Sequence, residues 1–297
     1  MVEKKRVIAL GFFDGLHIGH SALMKRTLEI GNEKNLVPSV ITFDVHPMSL
    51  ISGETVPLIN SSEDRARLIH HLFGIDDIIF LHFDRTTSNM PWDEFIGHLV
   101  DEFGAMHLVA GHDFRFGSGG KGNSRLLEEK CRELSLGCDI VPAVQYDGIT
   151  SSSTYIRELI SQGDMERANL FLGHPHMLTD IVRYGYKLGR TLGTPTINMC
   201  FRDGVLIPAH GVYATRVYPG DGKEYVGVTN VGIRPTVDNS NQVTAETHIL
   251  NYQGNLYGRL VRIEFYKHIR PEIRFADTTQ LKEQIQKDCK TAEQYFM

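Results

Sequence analysis

The sequence predicts an α/β plus all-β protein: a parallel sheet flanked by helices over residues 1–173, then an antiparallel β-barrel with a terminal helix over residues 174–297. Three observations carry this. At 297 residues the chain exceeds the roughly 100–200 residues of a typical domain. In its first half, short apolar runs alternate with amphipathic stretches, the rhythm of parallel strands joined by crossover helices. After Gly173, strand-like segments are separated by Gly, Pro, Asn and Asp at the spacing of a small barrel.

Taken in order, RVIALGF is a buried strand, and His20 to Asn35 has helical spacing through Leu23, Met24, Leu28 and Ile30. PSVITF is the second strand. SEDRARLIHHLFG is a helix with a Ser-x-Asp start and a stop at Gly74. DDIIFLHF, MHLVAG and CDIVPA are further strands, separated by helices in PWDEFIGHLVDEFG, where Pro91 lies near the start, and SRLLEEKCRELSLG. STYIRELISQGDMERANLFLG gives two helices broken at Gly163. Beyond it, HMLTDIVRYGYKLG, GVYATRVYP, EYVGVTNVG, TAETHIL and GRLVRIEFYKHI read as barrel strands, and DTTQLKEQIQKDCKTAEQYF as an amphipathic closing helix.

Composition narrows the function. The formal net charge is −5 and no run of five or six like charges occurs, so the basic stripe of a tRNA or DNA binder is missing and no nucleic-acid partner is expected. Cys131, Cys138, Cys200 and Cys289 form no CxxC pair, which points to a reduced, cytoplasmic chain. The apolar run near the N-terminus is cut short by Asp14 and His17 and lacks a small-residue cleavage site. No stretch approaches about 18 apolar residues, so no membrane association is expected.

Chemistry concentrates in a few strings. In LGFFDGLHIGH (Leu10–His20), Gly11 and Gly15 permit tight backbone geometry between strand and helix, and the helix start aims free N–H groups over the strand end. His17 and His20, three residues apart, share one face of the first turn, a cradle for phosphate in an in-line displacement. Gly19 between them would let a nucleotide close on the backbone. An isolated HxxH also occurs on ordinary surface helices; its place directly after the first strand favours the site reading. In SSSTYIR, Ser153 and Thr154 are candidate caps of the next helix, and Arg157 offers a guanidinium fork one turn in. GHDFRFGSGGKG, with Asp113 and Phe114, is a glycine-rich loop past a strand end.

In the second half, GYKLGRTLGTPTINM places Gly189, Arg190, Thr191, Gly193, Pro195 and Thr196 in a turn that suits a nucleotide. Thr196 and Asn198, two apart on an extended segment, face the same way and suit a hard Mg²⁺ carried in with ATP. Glu246 shares a strand face with His248 and is placed to accept a proton from a hydroxyl. Each string, alone, also fits a plain hairpin, strand or capped helix.

Together the strings G-x-F-D-G-x-H-x-G-H, G-x-D-F-x-F-G and S-S-T-x-I-R resemble the adenylyltransferase module of bacterial bifunctional riboflavin kinase/FAD synthetases, a Rossmann-like nucleotidyltransferase domain that shares its HIGH-type motif with class I aminoacyl-tRNA synthetases. The Lys-Met-Ser-Lys-Ser loop and anticodon domain of the latter are missing. G-R-T-L-G-x-P-T-x-N, then NVGIRPTV, ETHIL and LYGRLVRIEFYKHIRPEIRF, resemble the riboflavin-kinase-type barrel. The resemblance spans essentially the whole chain and implies two reactions: riboflavin plus ATP to FMN in the C-terminal domain, and FMN plus ATP to FAD and pyrophosphate in the N-terminal one. It implies that Glu246 is the kinase base and that Thr196 and Asn198 hold Mg²⁺. It further implies that Gly11, Phe13, Asp14, Gly15, His17, His20, Ser153, Thr154 and Arg157 serve ATP, with His17, His20 and Arg157 catalytic. Asp113, Phe114 and Arg270 are implied at flavin or phosphate.

Departures from the family pattern are Thr150, where a cation is common, Val45 in place of Pro, His112 at a variable site, and Asp180, where a carboxylate facing the site would repel ATP. The rival readings are a paralogue with one working module, a flavin-sensing regulatory protein, and a cytidylyl- or pantetheine-phosphate adenylyltransferase, which leaves the second half without a task. The 14 histidines raise a transition-metal enzyme, but no HExxH or Cys/His cluster has ligand spacing.

Overall fold

Strand β1 (Arg6–Leu10) shows no polar alternation because both of its faces are covered: Val7 to Leu10 are at most 2% exposed. It is the centre of a five-stranded sheet in a computed structural model that describes residues 4–53, 55–184, 194–234 and 242–297. Beside it lie β2 (Val37–Phe43) and β4 (Ala105–Gly111), and outside them β3 (Asp77–Leu81) and β5 (Gly137–Val141), in the order β3-β2-β1-β4-β5. All four pairings are parallel. The order reverses between β1 and β4, which opens a crevice at the carboxyl ends of those strands.

The long helices fall where their periodicity predicts: α1 (Ile18–Lys34), α3 (Ser62–Phe73), α5 (Trp92–Asp101) and α6 (Ser124–Glu133). Ser61, not Ser62, caps α3, accepting from the Asp64 N–H at 3.1 Å, and α3 stops at Gly74 with φ 67°. Two short helices, α2 (Pro47–Ser52) and α4 (Arg85–Asn89), and the hairpin β6 (Gln145–Tyr146)/β7 (Ile149–Thr150) escape a periodicity reading because none spans a full amphipathic repeat. Local capping specifies the helices instead: His46 Nδ1 accepts from Met48 N–H (3.2 Å) with Pro47 at the first position, and Asp84 accepts from Thr87 N–H (2.8 Å).

The chain divides into two compact units, Met1–Ser152 and Ser153–Met297. The reason is packing: α7 (Ser153–Gln162) and α8 (Met165–Leu172) lie on the barrel. Asn169 Nδ2 donates to Phe265 O (2.8 Å), and its Oδ1 accepts from His176 N–H (2.9 Å). Gly163, at φ 81°, breaks the pair. The barrel sheet is antiparallel in the order β8-β13-β10-β11-β12-β9, with β8 His176–Ile181, β9 Thr196–Cys200, β10 Gly211–Tyr218, β11 Tyr225–Arg234, β12 Gln242–Ile249 and β13 Leu260–Arg270. Arg183 N–H donates to Asn198 O (2.9 Å), so the sheet curls until its two edges meet. The closing helix α9 (Thr278–Tyr295) buries Ala292 against Val212, Ala214, Val228 and Leu250.

Two buried histidines tie stability to pH. His176 on β8 is 1% exposed with neither ring nitrogen hydrogen-bonded among the described residues, and burial, with His174 nearby, pushes its pKa down to about 3. His107 on β4 is held between Lys34 Nζ (3.1 Å from Nδ1) and Asp139 Oδ2 (3.0 Å from Nε2). An ammonium only donates, so Nδ1 accepts and Nε2–H donates to Asp139. Burial, then Lys34, lowers its pKa. Both folded values lie below the unfolded value near 6.5, so the unfolded chain binds more protons and stability drops as pH falls below about 6.5. Each group adds about 1.4 kcal/mol per pH unit until its own folded value is reached. Calorimetric unfolding between pH 8 and 5 should therefore show falling midpoints, with a shallower fall in His176→Phe; an unchanged slope in that variant refutes the assignment.

Candidate functional sites in the two units

Between β1 and α1 the backbone takes a left-handed step at Phe13 (φ 57°), turns at Gly15 (φ 77°) and enters α1 at Ile18. The Phe13 ring is 1% exposed and fills the space a side chain at Gly11 would need, since a Cβ there would stand 2.8 Å from it. It meets the His20 ring edge-on, centroids 5.2 Å apart. The Phe13 ring thus floors the motif. Asp14 is buried as well, its Oδ1 accepting from Ile59 N–H (2.8 Å) and Asn60 N–H (3.3 Å), which pins the turn to the approach of α3.

His17 is the N-cap of α1: its Nδ1 accepts from Gly19 N–H (3.1 Å) and His20 N–H (3.4 Å). This gives Gly19 a structural role. A Cβ there would stand 2.9 Å from the His17 ring, so the cap itself requires the space. With Nδ1 accepting, neutral His17 carries its proton on Nε2. The His20 ring stacks on it, centroids 3.6 Å apart at 22°. Burial, then His17, then Arg65 lowers the His20 pKa well below its ordinary value, so His20 is neutral. Two stacked imidazoles at a helix N-terminus supply donors and a favourable dipole for an anion.

Arg65, unremarked in the sequence, holds this loop. It is buried on α3, and Nη1 donates to Phe12 O and to Thr42 Oγ1 (3.1 Å) while Nη2 donates to Phe43 O (3.0 Å) and Ser62 Oγ (3.3 Å). Its guanidinium carbon lies 4.5 Å from the Phe12 ring centroid. Burial lowers its pKa to about 10, against the pull of Asp14 and Asp44, so it stays charged. One cation therefore joins the ends of β1 and β2. Arg65→Met keeps the bulk but removes the charged donor from the partly buried Phe12 and Phe43 carbonyls; Phe12 O keeps the Thr42 hydroxyl (2.8 Å), so the cost is about 1–3 kcal/mol in all. The urea midpoint should fall and FAD synthesis with it; an unshifted midpoint would mean the loop is anchored elsewhere.

Asp113, past the end of β4, is exposed, whereas Phe114 turns inward, stacks on Phe116 (5.3 Å, 16°) and packs on the first unit's core. Thr150 lies on β7, where Gln145 Nε2 reaches its Oγ1 at 3.5 Å. In the second unit, α7 begins at Ser153, so Ser152 takes the cap position expected of Ser153 or Thr154, and Arg157 is half-buried one turn in.

The barrel register assembles the second constellation. β9, β12 and β11 are neighbours, and the cross-strand pairs are Thr196 with His248, Asn198 with Glu246, and Glu246 with Asn230. Directly paired residues share a sheet face, so Asn198, Glu246 and Asn230 form a row across three strands. His248 Nδ1 donates to Pro195 O (2.9 Å) and ties down the chain that enters Thr196. Asn198 is 5% exposed, and among the described residues its Oδ1 accepts no hydrogen bond. Two cavities flank the row. One, of about 430 Å³, is lined by Pro195, Thr196, Asn198, Tyr252 and Tyr257; the other, of about 320 Å³, by Thr196, Asn230, Glu246, Arg270 and Glu272. Thr196 lines both.

Arg270 faces the second cavity, but its Nε and Nη2 bind the buried Asp288 of α9 (2.8 Å from Nη2) and Nη1 donates to Pro271 O (3.0 Å), so it anchors the helix. Asp180 is buried, paired with Arg183 and accepting from Cys200 N–H (2.9 Å); its charge is compensated instead of opposing a phosphate. Gly189, Arg190, Thr191 and Gly193 lie outside the described residues. The sequence reading missed Asn230, Glu272 and Asp288, which only strand register and the path beyond β13 bring to the cavity.

Comparison with known proteins gives a family model for each half of the chain. The FAD synthetase family model covers residues 1–155 and the riboflavin kinase model residues 172–296. The bifunctional riboflavin kinase/FMN adenylyltransferase of Bacillus subtilis (strain 168) is 34% identical over 99% of this chain and 93% of its own length. The chain belongs to the bifunctional riboflavin kinase/FMN adenylyltransferase family. The Escherichia coli (strain K12) member is 35% identical over 98% of this chain and 92% of its own. A solved Streptococcus pneumoniae structure, titled a macrolide-efflux protein, matches with a TM-score of 0.86 at 27% identity, covering 99% of this chain and 95% of that one. Among the described residues of this family member, no helix is long and apolar enough to cross a membrane.

Proposed function

We propose that the chain makes FMN in its second unit and FAD with its first. The observation that supports the kinase reading best is the row Asn198–Glu246–Asn230 beside two cavities that share Thr196. ATP occupies the cavity with Asn198, and riboflavin the one with Glu246. The flavin's primary hydroxyl oxygen attacks the γ-phosphorus, the bond from that phosphorus to the β-bridging oxygen breaks, ADP leaves, and Glu246 takes the hydroxyl proton. The donor set fits magnesium: a hydroxyl and a buried, unpartnered amide oxygen are hard ligands, and Thr196 and Asn198 would hold the ion. When bound it neutralises charge on the triphosphate.

In the adenylyltransferase, a phosphate oxygen of FMN attacks the α-phosphorus of ATP, the bond to the bridging oxygen breaks, and pyrophosphate leaves. The His17 Nε2–H, with the helix N-terminus behind it, stabilises charge on the phosphoryl oxygens. The parts of His20, Ser153, Thr154 and Arg157 at ATP, and of Asp113 at flavin, rest on the motif resemblance. By that reading the functional module runs to residue 173, past the packing boundary. The four cysteines are free thiols, in keeping with a cytoplasmic enzyme. Incubation with riboflavin, ATP and Mg²⁺ should give FMN first and FAD after it in a resolved time course. FMN accumulation without FAD would leave a kinase alone, and no turnover of either flavin would end the proposal.

A further inference from the structure

The cavity that holds Glu246 contains a second carboxylate that no part of the phosphoryl transfer uses. Glu272, two residues past β13, accepts from Asn230 Nδ2 at 3.1 Å. Its carboxylate sits where a side chain at residue 232 would go: a Cβ on Gly232 would stand 2.1 Å from Oε1 and 3.0 Å from Oε2. Gly232 is buried within β11, two residues before its end, where glycine weakens a strand unless something must approach closely. Here that something is Glu272. A carboxylate only accepts, so Asn230 turns its NH₂ to Glu272 and its carbonyl oxygen the other way. Asn230 and Glu272 thus extend the Glu246 row by acceptors alone, beginning one strand spacing, about 4.8 Å, from Glu246.

A ligand matched to this wall carries hydroxyl donors on a chain leading away from the hydroxyl at Glu246. Resting on the kinase reading above, we infer that Glu272, seated in the Gly232 notch and joined to Asn230, binds the secondary hydroxyls of the substrate's polyol chain and so selects a polyol over a plain alkyl chain. The pair reads the substrate; Glu246 reacts with it.

The test compares riboflavin with a flavin bearing a 5-hydroxypentyl chain, which keeps the primary hydroxyl and lacks the secondary ones. In the full-length wild type the analogue should show a KM about 10–100-fold above riboflavin's, the range for hydrogen bonds to a charged group. In Glu272→Gln and in Gly232→Ala that discrimination should shrink towards unity, through a rise in the riboflavin KM with kcat far less affected. FAD synthesis from supplied FMN should be unchanged, which reports that the variants fold. If the KM for both flavins rises equally, or if neither moves, Glu272 does not read the chain and the inference is overturned. If the wild type fails to phosphorylate riboflavin at all, the kinase reading fails first and takes the inference with it.

Discussion

Glu246→Gln is expected to lower FMN formation by about 10²–10⁴-fold, the usual contribution of a placed proton acceptor. FAD synthesis from supplied FMN should continue at the wild-type rate. Gln keeps the size and the strand register of Glu246, so its pairing with Asn198 and Asn230 persists and the loss reports on the proton alone. The riboflavin KM should move little, because the cavity wall is otherwise retained. Chromatography of FMN and FAD against time makes the measurement. Loss of both activities in a folded variant would contradict two separate sites.

His17 gives the second large effect, and two substitutions separate its two tasks. His17→Ala removes both the helix cap, worth about 0.5–2 kcal/mol, and the Nε2–H donor. His17→Asn retains an oxygen able to cap α1 but not a donor at the Nε2 position. Both variants should lose about 10²–10³ in the rate of FAD synthesis, the cost of one preorganised oxyanion donor. Only Ala should lower the unfolding midpoint. FMN formation should survive in both. A normal FAD rate in the Asn variant would reduce His17 to a structural cap.

How much of this was legible in the sequence follows from the range of the interactions involved. The order of the long elements was, because alternation and amphipathic spacing are local. So was the kinship of His17 with His20, and of Thr196 with Asn198, since a helical turn and a strand pleat each return to one face within a few residues. The burial of Phe13 and Asp14 was not legible: both sit inside the motif, and a left-handed backbone step and a pair of amide donors at Ile59 and Asn60 turn them inward. Arg65 was illegible because its partners, the Phe12 and Phe43 carbonyls, belong to distant strands and carry no side-chain signal. Glu272 was illegible for a similar reason. Its seat is the missing side chain of Gly232, and a glycine in a strand does not say what occupies the gap.

Thr196 forms part of the wall of both barrel cavities, so the two meet at this side chain. If the proposed kinase reading holds, a compound tethering an isoalloxazine to adenosine through a short oligophosphate should reach past Thr196 and fill both chambers at once. Its second half would bind at the high local concentration set by the tether, so its affinity should exceed that of either fragment by far more than a simple mixture achieves.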